Sequence, residues 1–73
     1  MNKLVNEERV TYARCIQMDC DDAANSVIVS VWGEDYLIEQ HVFDTGTAKR
    51  NIEKAVHRAN RMSRKYGIEW ESN

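Results

Sequence analysis

Residues 26–43 read SVIVSVWGEDYLIEQHVF, two runs of branched and aromatic side chains on either side of Gly33-Glu34-Asp35. Such side chains fit a pleated, half-buried surface, and a short glycine-bearing connection closes two runs into an antiparallel hairpin. The spacing predicts strands over residues 26–32 and 36–43. With a tight turn between them, odd positions of the first strand are expected opposite even positions of the second. One face then carries Val27, Val29, Val31, Tyr36, Ile38 and Val42, interrupted by Gln40, and is expected to face the core. The other carries Ile28, Trp32, Leu37 and Phe43 among Ser30, Glu39 and His41, with Trp32 and Leu37 close across the turn end.

Upstream, VTYARCIQM at residues 10–18 alternates Val10, Tyr12, Ile16 and Met18, broken by Arg14, and reads as a third strand. The acidic DCDDAAN at residues 19–25 reads as a turn or loop. Downstream, residues 45–66 read as one long helix. Asp44 is the expected N-cap, with Phe43 and Ala48 at the positions of a hydrophobic staple. Gly67 follows Tyr66 where a left-handed cap belongs, and Arg64 and Lys65 lie where the helix dipole favours cations. Ala48, Ile52, Ala55, Val56, Ala59, Met62 and Tyr66 recur on one stripe suited to a sheet face. The closing Ile68-Glu69-Trp70 either adds a short strand or packs over the helix end. The expected fold is α+β: a three-stranded antiparallel sheet with one long C-terminal helix packed on one face, a single domain over residues 1–73.

A chain of 73 residues builds a small core, and such domains lean on disulfides, metals or self-association. Cys15 and Cys20 allow one bridge at most, and no terminal segment resembles a signal peptide or a membrane span, so a reducing cytoplasmic setting is expected, with a homodimer as the remaining aid. The net charge of −2 hides a division: residues 1–44 carry three bases against nine acids, and residues 45–73 carry seven bases against three acids. Such a bipolar layout steers association with charged partners.

Arg50, Lys54, His57, Arg58, Arg61, Arg64 and Lys65 fall on the side of the helix away from the apolar stripe, with Glu53 the single acid between Thr47 and Tyr66. A covering helix must expose a solvated face. Yet like charges four residues apart, as in Arg50 with Lys54 and Lys54 with Arg58, disfavour the helix slightly, which points to a partner, either phosphates or an acidic protein surface. A second candidate surface, for a partner or a second copy, gathers Trp32, Leu37 and Tyr36 at the hairpin end, rimmed by Glu34, Asp35 and Glu39. No metal or cofactor is expected: Cys15 and Cys20 with His41 and His57 lack zinc-knuckle spacing, and the acidic loop lacks the glycine and distal glutamate of a calcium loop. No nucleophile, base and orienting group converge in the sequence, so an enzyme is not expected.

The order strand, strand, strand, helix, with HVFDTGTAKRNIEKAVHRANRMSRKYG entering the helix through Phe43-Asp44-Thr45 and carrying alanines at 48, 55 and 59 before Tyr66-Gly67, resembles the AP2-like and arm-type DNA-binding modules of phage integrases. The resemblance implies the sheet-plus-helix fold over residues 10–67. In those modules basic residues on the exposed sheet face read DNA, where this hairpin offers Ser30, Glu39 and His41. The small size and polarised charge also resemble phage and mobile-element accessory proteins that bind and inhibit host machinery. Together these readings give a non-enzymatic binding protein acting by protein contact on a nucleic-acid-handling assembly. The alternative is direct nucleic-acid binding through helix 45–66.

Overall fold

The computed structural model describes residues 13–23 and 25–72. In chain order these form β1 (Cys15–Asp21), β2 (Ser26–Trp32), β3 (Leu37–Phe43), α1 (Ala48–Tyr66) and β4 (Trp70–Ser72). The sheet has four strands in the order β3-β2-β1-β4, rather than three, and it is mixed: β1 pairs antiparallel with β2 and parallel with β4. The parallel pair follows from connectivity. Helix α1 is the crossover that carries the chain from β3 over β2 and β1, and a crossover returns a strand in the direction of the one it left.

The acidic run 19–21 is strand rather than loop, because Asp19, Cys20 and Asp21 pair with Ile28, Val27 and Ser26. The turn that follows is short enough to need Asn25 at φ 53, a left-handed conformation that asparagine tolerates. The expected strand positions Val10 and Tyr12 lie outside the described residues.

One buried cluster unites Ile16 and Met18 of β1, Val27, Val29 and Val31 of β2, and Ala55, Ala59 and Met62 of α1. The alanines let the helix axis approach the valine face closely. The apolar stripe is rotated from the expected one. Ala48 and Ile52 are exposed, and the buried place in the first helical turns belongs to Asn51. Asn51 is fully buried because it replaces missing backbone partners: its Nδ2 donates to the carbonyls of Asn25 (2.8 Å) and Gly46 (3.1 Å), and its Oδ1 accepts from Gly46 N (3.0 Å). One side chain thereby fastens the β1–β2 turn and the β3–α1 loop to the helix.

The helix starts at Ala48, three residues later than expected, with Thr47 as the cap in place of Asp44: Thr47 Oγ1 accepts from Arg50 N at 3.2 Å. At the other end Gly67 has φ 72 and donates its N–H to Ser63 O (2.9 Å), while Ser63 Oγ donates to Ile68 O (2.6 Å). Trp70 Nε1 donates to Asn60 Oδ1 at 2.7 Å, tying β4 to the helix, and Ile68 and Trp70 both pack against the core.

Candidate binding groove between the helix and the edge strand

The hairpin register decides what lies beside the helix. Next to the turn the expected odd-to-even pairing holds, Trp32 opposite Leu37. A bulge at Ile38 then shifts the ladder by one residue, so that Val31, Val29 and Val27 oppose Glu39, His41 and Phe43. Because strand side chains alternate between faces, one inserted residue exchanges the faces of everything beyond it. Glu39, His41 and Phe43 therefore turn toward α1 instead of away from it. Val42, expected in the core, is 52% exposed on the face away from α1.

The cations are not directly opposite the buried stripe either. With 3.6 residues per turn, Arg50, Lys54, Arg58 and Arg61 form a row on the flank of α1 nearest β3, about a third of a turn from Ala55 and Ala59. Facing Phe43, this row encloses an open groove of about 570 Å³ lined by Phe43, Arg50, Glu53, Lys54, His57, Arg58 and Arg61. Four permanent cations against one carboxylate give its walls a net fixed charge of +3. Arg50 adds to the strain of this arrangement by standing in the first turn, where no acid is present to complement the helix N-terminus.

Among the described residues, Arg50, Lys54 and Arg61 form no ion pair, and so their charge is available to a partner. Arg58 is partly engaged. Its Nη1 lies 3.0 Å from His41 Nδ1 and 3.2 Å from Nε2, so the end of the guanidinium rests against the His41 ring. Lys65 points to β3 below the groove, its Nζ 3.2 Å from Glu39 Oε2 and 5.2 Å from the Tyr66 ring centroid. Arg64 is exposed and does not line the groove.

Glu39 is the electrostatic node of the interface between β3 and α1. Its Oε1 lies 2.8 Å from His41 Nε2, and its Oε2 accepts from the Tyr66 hydroxyl and from Lys65. Burial alone raises the pKa of such a carboxyl, but the hydrogen bonds from Tyr66, His41 and Lys65 and the Lys65 charge outweigh it and hold Glu39 at about 2. Burial, joined by the Glu39 hydrogen bond and charge, pushes the Tyr66 hydroxyl well above its ordinary value.

The hairpin-end residues are arranged differently from the groove. Trp32 is half-buried opposite Leu37, which is 43% exposed; Tyr36 folds its ring over Gly33, and Glu34 and Asp35 are exposed beside it. Glu39 does not join this rim, being turned to the helix. The center of the face away from α1 is polar: Gln40 Nε2 donates to Ser30 Oγ at 3.2 Å. Cys15 and Cys20, five residues apart in β1, point to opposite faces and stand as free thiols. Among the described residues no cluster of three or more His, Cys, Asp or Glu could hold a metal ion, and no helix is long and apolar enough to cross a membrane.

Sequence reasoning identified the basic residues but missed Phe43 as the groove floor and Tyr66 as a polar partner. The available signal was Asn51, which shares the row of Ala55, Ala59 and Met62 and marks the true phase of the helix. No family model, curated protein or solved structure matches the chain.

Proposed function

We propose that the chain is a binding protein, without catalysis of its own, that recognises an acidic protein segment through the groove between α1 and β3. The observation that carries this reading is the set Arg50, Lys54 and Arg61, three cations without ion pairs among the described residues, ranged along a groove floored by Phe43. Like charges one helical turn apart weaken a helix, and among the described residues no ion pair to Arg50, Lys54 or Arg61 offsets that cost. The lining supplies four cations, the Glu53 carboxylate, the His57 imidazole and the Phe43 ring. Aromatic and arginine side chains together are the usual anchors of protein contacts.

A second reading rests on the same phenylalanine: an aromatic flanked by cations also stacks the bases of single-stranded nucleic acid. Fluorescence anisotropy at about 0.15 M salt separates the two. A labelled glutamate-rich peptide is expected to bind, a single-stranded or duplex oligonucleotide is not, and Arg50→Glu with Arg61→Glu is expected to abolish peptide binding while the thermal transition is retained. Tight oligonucleotide binding at that salt, lost in the same double variant, reverses the assignment.

A further inference from the structure

The groove has a second wall that the charge argument leaves unused. Strand β3 ends the sheet order β3-β2-β1-β4, so among the described residues its outer side has no neighbour. In an antiparallel ladder alternate residues aim their N–H and C=O groups away from the partner, and on an edge strand those groups are open to another chain. The bulge at Ile38 distorts the first part of that edge, which confines a regular ladder to residues 39–43. This segment runs directly beneath the row of cations.

Resting on the reading above, we propose that the partner is an extended segment that adds to the sheet as a fifth strand along residues 39–43 of β3, with acidic and apolar side chains in alternation. An added strand continues the pleat of its neighbour. Side chains aligned with His41 and Phe43 enter the groove, where Arg50, Lys54, Arg58 and Arg61 require carboxylates. Side chains aligned with Val42 and Gln40 emerge on the face away from α1, where Val42 is 52% exposed and suits an apolar neighbour.

Charge excludes a second copy as the added strand. Two β3 edges meeting across a two-fold axis would set two grooves of net +3 side by side, and the exposed cations would keep them apart. The device that prevents self-pairing is the same one that selects an acidic strand.

The probe is a synthetic seven-residue peptide alternating glutamate and valine, matched to the length of β3. Two further versions carry N-methyl groups, one on every glutamate amide, the other on every valine amide. In a strand, the residues of one alternate set aim their amides at the neighbour, so N-methylation of that set alone breaks the ladder. One version is expected to lose at least about tenfold in affinity and the other to stay within about threefold of the parent. Which version is silent reports the strand's direction. In parallel, hydrogen exchange of alternate amides within residues 39–43 is expected to slow at least about tenfold at saturating parent peptide. If the parent binds but β3 gains no protection, strand addition is overturned while the acidic-partner reading stands, whatever the N-methylated versions do. A parent peptide that does not bind overturns both, as does an oligonucleotide that binds more tightly than the parent at the same salt.

Discussion

Tyr66, the last residue of α1, donates its hydroxyl hydrogen to the carboxylate of Glu39 in the middle of β3, and so clamps the end of the helix to the edge strand. This contact joins the C-terminal end of the helix to the strand whose Phe43 floors the basic groove. Its charge state makes stability depend on pH at both extremes.

On the acid side, Glu39 titrates at about 2 in the fold, below its ordinary 4.5. A lowered folded-state pKa means that the carboxylate's contribution is complete above about pH 4.5 and is lost as the pH falls toward 2. Thermal denaturation across that window is expected to show a loss that is smaller in Glu39→Gln by about 1 kcal/mol, the modest size reflecting solvent screening of a site that is 22% exposed. An identical acid profile in the variant removes Glu39 as the source.

On the alkaline side the sign reverses. The Tyr66 pKa is raised in the fold, so its contribution is whole below its ordinary value of 10 and declines as the pH rises above it. Tyr66→Phe is expected to cost about 1.5 kcal/mol at neutral pH, the usual worth of a hydrogen bond to a charged group, and to flatten the alkaline decline. Urea denaturation at neutral and alkaline pH measures both effects.

Asn51→Leu keeps the branched outline of the side chain but is bulkier and removes one acceptor and two donors from a fully buried site, stranding Gly46 N and the carbonyl of Asn25. The expected loss is about 3 kcal/mol by chemical denaturation. Asn51→Asp retains the acceptor for Gly46 N yet turns a carboxylate on two carbonyls, so it is expected to be as damaging as leucine. If aspartate is tolerated, the two donated bonds contribute little.

What the sequence revealed and what it concealed divide along one residue. The valines of β2 and Ala55 and Ala59 of α1 announce their burial through period, because each set packs a continuous face. The pairing of Trp32 with Leu37 is also legible, since the turn imposes it. Beyond Ile38 the same logic fails: a bulge leaves no mark in the alternation of YLIEQHVF, and it exchanges the faces of Glu39, His41, Val42 and Phe43. The cations of the groove could therefore be named from sequence while its floor and its edge strand could not. The late helix start has a similar origin, because Asp44 and Thr47 are both competent caps and only the Asn51 contacts with Gly46 select Thr47.

Two glycines are expected to resist substitution for different reasons. Gly67 has open space around it but sits at φ 72, so Gly67→Ala is expected to cost about 1 kcal/mol through the backbone alone. A Cβ on Gly33 would stand 2.5 Å from Tyr36 Cζ, which forces the ring off the turn. Gly33→Ala is therefore expected to shift the Tyr36 ring resonances in an NMR spectrum, with a smaller loss of stability because that ring lies at the surface.

The basic row gives a test that sets binding against stability in one residue. Lys54 stands four residues from Arg50 and four from Arg58, two like-charge pairs that each weaken the helix by about 0.2–0.5 kcal/mol. Lys54→Glu converts both into attractions and is expected to raise stability by about 1–2 kcal/mol, measured by urea denaturation at low salt and reduced at high salt. The same change halves the net charge of the groove or more, so affinity for an acidic peptide is expected to fall at least about tenfold. A variant that is more stable and binds less well identifies a row of cations kept for a partner. A variant that is more stable and binds equally well identifies an ordinary solvated helix face, and the acidic-partner reading then fails.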